Sequence, residues 1–294
     1  MESISSLLIG LFLSTQQQWA RLSPYEQVVQ ALQKIEAENP NTSRLIQVGI
    51  SDSGQPIVGI QIGRGGKANL LVATHHGNEY GSTAVAVAAA NAFAQAPLQG
   101  QTLYVIPVLN ISGYNSRNRF ERNSRGQSFD PNRDYTGPCK SGPTFNLKST
   151  LSLAKFVDQA QIVTSATLHT YMPGVLYPWG LSTRDVMTAD TEEYIRLGKA
   201  AAAQSGYTVG NSTELLYAAD GTFEDFAYWQ FGVWSLLFEM GTTHNPNENQ
   251  IKEMIRGNLP GFRRYFLESP STRSTNHAFT GRCDNFVRQR QKME

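Results

Sequence analysis

Short apolar runs and amphipathic segments alternate along this chain. Residues 23–26 (Ser-Pro-Tyr-Glu) have the spacing of a helix capping box with proline at the first helical position, and apolar residues recur at helical intervals over 28–35. Residues 58–62 alternate as a strand would, and the apolar run 68–74 is typical of a buried strand. The pattern therefore predicts a helix followed by two strands at the start of the folded domain.

The rest of the chain continues this alternation. The same criteria predict helices at 81–96, about 150–159, about 189–204 and about 247–268, and strands at 102–109, 162–169 and 234–240. Alternating strands and helices indicate an α/β fold, in which a mixed, mostly parallel twisted sheet carries helices on both faces. No repeat or linker interrupts it, so we predict one domain over 20–270 and a tail, 271–294, tied back only through Cys283.

Residues 111–148 depart from this pattern, because they are rich in Asn, Arg, Gly and Ser and show no period. A loop of this length inside a compact domain is usually functional. Its arginines are Arg117, Arg119, Arg122, Arg125 and Arg133. A guanidinium can hold a carboxylate through two parallel hydrogen bonds, so the cluster suggests an anionic group on the substrate. A solvated basic loop is the alternative interpretation.

Composition narrows the class of partner. The 294 residues include 25 Lys+Arg and 24 Asp+Glu, for a net charge of +1. This balance gives no electrostatic reason to expect a nucleic acid or another polyanion as a partner. We also expect no stable membrane insertion, and we expect a monomer.

The N-terminal residues and the two cysteines indicate the cellular compartment in which the protein works. Residues 5–13 are largely apolar but too few to cross a bilayer, and they fit the apolar part of a secretory signal over 1–19. Glu2 stands where a basic residue is expected and no small-residue cleavage motif follows, so a buried or irregular segment is the alternative. Cys139 and Cys283 could form one disulfide or remain two buried thiols. We expect a secreted or periplasmic protein.

Metal-binding residue types follow three of the predicted strands. His76 and Glu79 come after the 68–74 run, His169 ends the next strand, and Glu239 lies at the end of the last one. Ligands of open α/β sheets bind at the carboxyl ends of strands, so these four side chains should converge. His76, Glu79 and His169 match the ligand types and number of a catalytic zinc site holding one ion per chain. Glu239 is then a carboxylate that coordination does not need.

One further acidic residue and the remaining histidines are assigned separately. Asp130 could orient a metal-bound imidazole by accepting a hydrogen bond from it. His75, His244 and His277 are interpreted as structural or surface histidines, because nothing in the pattern places them with the metal ligands.

The motifs around these residues resemble those of zinc metallocarboxypeptidases of the pancreatic carboxypeptidase A and B type, over most of the chain. In chain order they are His76-Gly-Asn-Glu79, Asp130-Pro-Asn132-Arg133, Thr167-Leu-His169-Thr-Tyr171, Leu216-Tyr217-Ala-Ala-Asp-Gly221 and Leu237-Phe-Glu239-Met-Gly241. The resemblance implies a zinc carboxypeptidase fold, with the catalytic domain at 20–270, and a peptide or protein C-terminus as the substrate.

Residue roles are carried over from the same motifs. The resemblance implies that Glu239 acts as general base and then general acid, and that Asn132 and Arg133 bind the substrate's terminal carboxylate. Tyr217 matches the family's mobile tyrosine, and Tyr171 lies in the motif of the third zinc ligand as a further substrate contact. The oxyanion-stabilising arginine is expected to be Arg122, with Arg119 as the alternative.

Substrate preference is the finest expectation that the resemblance allows. Glu224 falls at the base of the family's side-chain pocket, where B-type enzymes carry an acidic residue, so we expect preference for C-terminal Lys or Arg. An alternative is that Glu224 faces solvent or an internal arginine. Asn78 replaces the arginine of the pancreatic enzymes, which implies a different outer subsite. Fewer than 25 residues precede the first helix, so an enzyme active as made is expected.

Three other functions remain open on the sequence. A murein-peptide amidase would cleave next to diaminopimelate, whose ammonium Glu224 could accept. An aspartoacylase-like deacylase shares a similar zinc motif and an Asn-Arg pair, although Tyr217 and the motif around Tyr171 count against it. A zinc-containing binding module without catalysis is the non-enzymatic alternative, and the intact Glu239 counts against that one.

Overall fold

The computed structural model describes residues 22–284, so the expected secretory signal over 1–19 lies outside the described residues. An eight-stranded sheet runs through the domain. Its strands are β1 (Ser43–Ile50), β2 (Pro56–Ile62), β3 (Lys67–Ala73), β4 (Gln101–Ile106), β7 (Ile162–His169), β8 (Gly174–Tyr177), β9 (Thr208–Asn211) and β10 (Trp234–Glu239). They lie side by side in the order β1-β2-β4-β3-β7-β10-β8-β9. A separate hairpin pairs β5 (Glu121–Arg122) with β6 (Ser128–Phe129).

Helices cover both faces of this sheet. They are α1 (Pro24–Glu38), α2 (Tyr80–Gln95), α3 (Ile111–Ser116), α4 (Lys148–Gln159), α5 (Thr191–Ala202), α6 (Ser212–Leu215), α7 (Phe223–Phe231) and α8 (Glu248–Glu268), with a short 3-10 helix at Pro131–Arg133. Helices α2, α5 and α8 pack against one face and α4 and α7 against the other, each through its own buried cluster. The predicted fold class is therefore confirmed. Among the described residues, no helix is both long and apolar enough to span a bilayer.

The centre of the sheet positions the site. Strands β3, β7 and β10 are parallel neighbours, with Ala73 opposite Leu168 and His169 opposite Glu239. Every residue of β3 and β7 is buried, which is typical of parallel strands covered by helices on both faces. Because the three strands run in the same direction, their carboxyl ends open on one edge of the sheet.

Several elements were not predicted from the sequence. Strand β1 lies at the sheet edge with a half-exposed, irregular burial pattern and a register shift between Gln47 and Gly49, which hides its period. Strands β8 and β9 have four residues each, too few for a periodic signal. Helix α7 is buried on nearly all sides in its first half, so it lacks the polar face by which a surface helix is recognised.

The segment after α8 is held at many points, so the expectation of a tail tied back only through Cys283 is wrong. Trp234 Nε1 donates to the carbonyl of Thr272 at 2.9 Å, and Ser274 N donates to the carbonyl of Gly232 at 2.7 Å. The thiols left open by the sequence form a disulfide between Cys139 and Cys283, with an S–S distance of 2.06 Å. The segment 271–284 is therefore part of the folded domain.

Glu121 is a buried carboxyl that should make stability depend on pH. Its side chain is 0% exposed, Ser149 donates to one oxygen, and the other oxygen has no partner. Burial raises the pKa of Glu121 to about 8, and the charges of Asp52 and Asp134 add to this. The folded state therefore prefers the protonated acid, a preference that stabilises it fully below the unfolded pKa and is lost as the pH rises through about 8.

We expect Glu121→Gln to be about 2–4 kcal/mol more stable than the wild type at pH 9 and nearly equal to it at pH 5, because the amide cannot ionise. Thermal unfolding at pH 5, 7 and 9 measures this. Glu192→Gln, an exposed glutamate on α5, is the matched control and should follow the wild type at each pH. A Glu121→Gln variant less stable than the wild type at pH 9 would contradict the argument.

Candidate active site

His76, Glu79 and His169 meet at the edge where β3 and β7 end. Their ligand atoms all lie within 4.8 Å of one another, and all three side chains are buried. His76 Nδ1 lies 2.7 Å from Glu79 Oε1 and 3.2 Å from His169 Nδ1, and His169 Nδ1 lies 3.1 Å from Glu79 Oε2. Among the described residues, this is the one group of three or more His, Cys, Asp and Glu side chains that could hold a metal ion.

The turn after β3 aims His76 into this group. Thr74 has a φ of 62°, a conformation that is rare for a β-branched residue. Its hydroxyl contacts Thr83 Oγ1 at 2.6 Å and donates to the carbonyl of Pro107 at 2.8 Å, which holds the turn in place. Such locally strained backbone is maintained by its surroundings and is common at functional sites.

Zinc fits this donor set. Two imidazole nitrogens and a carboxylate are the ligand types of catalytic zinc sites. The 3.2 Å between the two Nδ1 atoms is close to the roughly 3.4 Å that two nitrogens about 2.1 Å from a tetrahedral ion would have. Glu79 also accepts a hydrogen bond from Thr170 N at 3.1 Å, which fixes its carboxylate. The group is therefore built to hold a small cation rather than to pack as an apolar core.

Asp130 lies behind His76. His76 Nε2 is 3.0 Å from Asp130 Oδ1, so this ring edge can donate to the carboxylate while Nδ1 faces the metal group. Burial alone would lower the pKa of His76, but the charges of Glu79 and Asp130 outweigh it and raise the pKa to about 9. The pKa of Asp130 is lowered, because the charges of His76, Arg133 and Arg119 outweigh its burial. Asp130 thus stays ionised and orients the ring.

Arg119 is the arginine that reaches this group, so the expectation for Arg122 needs correction. Arg119 Nη2 donates to Asp130 Oδ2 at 2.8 Å, and Nη1 lies 4.0 Å from Glu79 Oε1. Arg122 is exposed on the hairpin, where Nη1 donates to the carbonyl of Gly126 at 3.3 Å. The β5–β6 pairing turns Glu121 inward and Arg122 outward. The guanidinium at the metal group is therefore that of Arg119.

The two arginines provide a matched pair of variants. We expect Arg119→Ala to lower kcat/KM by about 10²-fold, since removing one donor aimed at developing charge typically costs that much. The kcat/KM of Arg122→Ala should stay within about twofold of the wild-type value, because the Arg122 side chain contacts only the surface hairpin. Steady-state kinetics on one peptide substrate measures both. Equal losses in the two variants would contradict the assignment.

Glu239 lies across from the metal group at the end of β10. Its Oε2 atom is buried and has no hydrogen-bond partner. Burial is the main cause that raises the pKa of Glu239 to about 8, and the negative charge of Glu79 adds to it. A carboxyl group whose pKa is raised toward neutrality by burial is suited to exchange a proton with a substrate.

Asn132, Arg133 and Tyr217 form one rim of the cavity beside the metal group. Phe223 N donates to Asn132 Oδ1 at 2.9 Å, and Arg133 Nη2 donates to the Tyr217 hydroxyl at 3.2 Å. Gly221, with a φ of 83°, lets the two loops meet, since a Cβ there would lie 2.8 Å from the carbonyl of Arg133. Tyr217 is 52% exposed at the mouth of the cavity.

Glu224 lies inside the same cavity. The cavity is narrow, about 30 Å³, and its walls include His76, His169, Asn132, Arg133, Tyr217, Ser212, Thr222, Glu224 and Glu239. Glu224 is 1% exposed, and its Oε2 atom has no partner. The interpretation that Glu224 faces solvent is therefore wrong. Glu224 therefore lines the cavity with a carboxyl group of which one oxygen is buried and unpaired.

Two further residues of this cavity, Ser212 and Thr222, were missed by sequence reasoning, as was Asp225, which contacts the cavity-lining Gly180. Ser212 Oγ is a buried hydroxyl without a partner, and the buried Thr222 hydroxyl lies beside Asp225. Gly180 N donates to both oxygens of Asp225, yet the pKa of Asp225 is raised, chiefly by burial and then by the charge of Glu224. Serine, threonine and aspartate are common in loops and helix caps, so the sequence carries no signal that would single them out.

The remaining histidines and Tyr171 lie around the site. His75 Nε2 is 3.0 Å from the Tyr135 hydroxyl, and its ring stacks on His169 at a centroid distance of 5.6 Å. Tyr171, 50% exposed, packs edge-on against His244 at 4.9 Å. His277 Nδ1 contacts the carbonyl of Trp229 at 2.8 Å, away from these residues. His75 and His244 are thus closer to the site than the sequence pattern indicated.

Several known proteins are similar to this chain in sequence. The sequence profile of the zinc carboxypeptidase family matches residues 28–261. Zinc carboxypeptidase A 1 from Drosophila melanogaster is 29% identical over 259 residues, which are 73% of this chain and 60% of that protein. Carboxypeptidase B from Homo sapiens is 26% identical over 274 residues, 78% of this chain and 65% of that protein. The chain thus spans less than two thirds of the length of these two relatives.

Solved structures share the fold. Bovine thrombin-activatable fibrinolysis inhibitor, in complex with tick carboxypeptidase inhibitor, superposes with a TM-score of 0.77 at 18% identity, over 82% of this chain and 95% of that one. The murein-tripeptide amidase MpaA from Escherichia coli O157 superposes with a TM-score of 0.54 at 15% identity. The match covers 77% of this chain and 92% of that one. The family match and the His–Glu–His group together confirm the expected zinc cofactor. The chain belongs to the zinc carboxypeptidase family.

Proposed function

We propose that this protein is a zinc-dependent metallocarboxypeptidase that removes the C-terminal residue of a peptide, with a preference for Lys or Arg. The observation that carries the proposal is that one cavity is lined by His76 and His169 of the metal group, by Glu239, by the Asn132–Arg133 rim and by Glu224. Each of these has a distinct task in removing one residue from a chain end.

Substrate binding starts at the rim. The Arg133 guanidinium offers the paired donors that a terminal carboxylate requires, and Asn132, held through its Oδ1 by Phe223 N, presents its amide beside it. Tyr217, already hydrogen-bonded to Arg133, closes over the bound end of the peptide. These contacts place the last peptide bond between the metal group and Glu239, which is the positioning that an exopeptidase needs.

Proton transfer is assigned to Glu239. When bound by His76, Glu79 and His169, zinc supplies Lewis-acid chemistry, which activates water and polarises the scissile carbonyl. Glu239 takes the proton from the attacking water and returns it to the leaving amine nitrogen. Arg119 faces the negative charge that develops on the carbonyl oxygen. Asp130 holds His76 in the required orientation.

Preference for a basic side chain rests on the oxygens inside the cavity. Glu224 Oε2 and Ser212 Oγ are buried oxygens without a partner. A Lys ammonium or Arg guanidinium would satisfy them, whereas a phenylalanine ring would leave them unpaired at a cost of about 1–3 kcal/mol for each group.

A murein-peptide substrate is the second candidate, supported by the fold shared with a murein-tripeptide amidase. The diaminopimelate side chain carries an ammonium and a carboxylate, and the carboxylate would need a cation beside Glu224. Arg133 is the cavity-lining cation among the described residues, and in the proposed mechanism it binds the terminal carboxylate. The charge arrangement therefore favours Lys or Arg over diaminopimelate.

Turnover of matched substrates tests the proposal. On one zinc-loaded preparation we expect hippuryl-Lys and hippuryl-Arg to exceed hippuryl-Phe by at least about 10²-fold in kcat/KM, because a buried carboxylate discriminates strongly against an uncharged partner. A murein tripeptide as the fastest substrate would favour the second candidate. Hydrolysis of N-acetylaspartate alone would indicate a deacylase, and zinc binding without any hydrolysis would indicate a binding module.

The compartment is proposed from the disulfide. Disulfides persist in oxidising environments, and Cys139–Cys283 joins the loop after Arg133 to the C-terminal segment. We therefore place the protein outside the cytoplasm, as a secreted or periplasmic enzyme. Mass spectrometry of the protein from its natural source, with and without thiol alkylation, tests both the disulfide and the mature N-terminus.

A further inference from the structure

The Cys139–Cys283 disulfide takes no part in the proposed chemistry, but its two ends lead to the rim of the substrate cavity. The two cysteines are 144 residues apart in the chain. The bond therefore joins the loop 134–140, which follows Arg133, to the end of the C-terminal segment. Cys139 is 0% exposed and belongs to a buried apolar cluster. The disulfide thus fastens together two segments that lie outside the main sheet.

The Cys139 end contacts the loop that carries the rim tyrosine. Tyr135 N donates to the carbonyl of Gly221 at 3.1 Å. A Cβ on Gly221 would lie 2.8 Å from the carbonyl of Arg133 and 3.0 Å from Cδ of Lys140, the residue next to Cys139. The chain between Arg133 and the disulfide is therefore packed directly against the end of the tyrosine loop.

The Cys283 end is attached to a second loop of the domain. Thr183 and Cys283 form an antiparallel bridge. Asp284 N donates to the carbonyl of Ser182 at 2.6 Å, and Thr183 Oγ1 donates to the carbonyl of Arg282 at 2.8 Å. The last described residues of the chain therefore hold this second loop through backbone and side-chain hydrogen bonds on both sides of the disulfide.

Ser182 connects this second loop to the tyrosine loop. Its N–H donates to Asp220 Oδ1 at 2.8 Å, while its carbonyl accepts from the C-terminal segment. Two residues earlier, the carbonyl of Gly180 accepts a hydrogen bond from Ala219 N at 2.6 Å, and both of these residues line the cavity. The two ends of the disulfide therefore lead to the same segment, 217–221, whose first residue is the rim tyrosine.

We propose that the Cys139–Cys283 disulfide and residues 282–284, which together we call the clasp, position Arg133 and Tyr217 to bind the terminal carboxylate of the substrate. This inference rests on the proposed carboxypeptidase function. Arg133 Nη2 and the Tyr217 hydroxyl are joined at 3.2 Å, so a shift of either loop displaces both side chains. Two parallel hydrogen bonds to a carboxylate require a fixed geometry. The two cysteines are thus positioning residues and not catalytic residues.

Removal of the disulfide should weaken substrate binding more than it slows the chemical step. We expect the double variant Cys139→Ser/Cys283→Ser to raise KM for the free acid of a hexapeptide ending in Lys by about tenfold, on zinc-loaded protein. Its kcat should stay within about threefold, because the central strands hold the metal group and Glu239. A variant that was merely less stable would contain fewer active molecules, which lowers the apparent kcat and leaves KM unchanged.

Two single variants separate positioning from stability. Asp220→Ala removes the acceptor of Ser182 N and keeps the disulfide, so it decides the question even if the double variant does not fold. It should raise KM for the same peptide by about fivefold or more. Ser274→Ala is the matched control, because its hydroxyl anchors the same C-terminal segment on Asp190, the residue before α5. It should lower the unfolding temperature and leave KM within about twofold.

An unchanged KM in either clasp variant would overturn the inference, as would an equal rise of KM in Ser274→Ala. Calorimetric titration of zinc-loaded Glu239→Gln with the same peptide, with and without the two cysteines, measures Kd in the absence of turnover. We expect a Kd about tenfold higher without the disulfide. If the wild type cleaves no peptide, the proposed function fails, and an unchanged Kd then overturns the inference separately. A peptide that does not bind at all overturns both.

Discussion

Replacing Glu239 with glutamine is expected to lower kcat by about 10²–10⁴-fold, which is the usual contribution of a positioned general base. The carboxylate lies at the end of β10, opposite His169 in the register, with one buried oxygen that no protein group satisfies. Glutamine has the same shape but cannot accept the proton. Because Glu239 is not part of the His–Glu–His group, the variant should still bind one zinc ion per chain.

Two measurements separate this loss from a loss of structure. Zinc content by atomic absorption should equal that of the wild type, and thermal unfolding should show an intact domain. Glu192→Gln, the exposed glutamate of α5, serves as the control and should retain full activity. A Glu239→Gln variant that keeps more than a tenth of wild-type kcat would show that another group transfers the proton.

Replacing Glu224 with glutamine is expected to reverse the substrate preference. Breaking a buried charge pair costs about 3–5 kcal/mol, so kcat/KM for a C-terminal Lys or Arg should fall by about 10²–10³-fold. Activity on a C-terminal Phe should change far less, or rise. In the variant, binding of the phenyl ring no longer removes water from the charged carboxylate of Glu224. Glu214→Gln, on the short helix α6 and outside the cavity walls, is the matched control.

Hydrolysis of hippuryl-Arg and hippuryl-Phe by the two variants measures this effect. If Glu224→Gln lowers kcat/KM for both substrates by the same factor, the residue supports the structure of the cavity and does not select the substrate side chain. If it lowers neither, Glu224 does not select the side chain, while the assignment of Glu239 stands unaffected.

The metal group was predictable because sheet topology converts position along the chain into position in space. His76, Glu79, His169 and Glu239 each follow or end a buried strand, and parallel neighbours open on one edge. The sequence did not need to specify distances for these four. Strand periodicity and the alternation with helices were enough to bring them together.

The arginine that lies beside the metal group could not be identified from the sequence in the same way. Arg119 and Arg122 are three residues apart in a segment without a period, and the two-stranded hairpin decides which of them faces inward. In a strand, a shift of one residue moves a side chain to the opposite face. The buried hydroxyls of Ser212 and Thr222 were equally hidden, because their role depends on which loops surround the cavity rather than on a local pattern.

The most direct test of the account compares one peptide in two forms. A hexapeptide ending in Lys is supplied as the free acid and as the C-terminal amide to the zinc-loaded protein, and the products are identified by mass spectrometry. Because Asn132 and Arg133 are proposed to bind the terminal carboxylate, we expect release of lysine from the acid and cleavage of the amide to be at least about 10²-fold slower. Equal cleavage of both forms, or cleavage at an internal bond, would contradict the assignment as a carboxypeptidase.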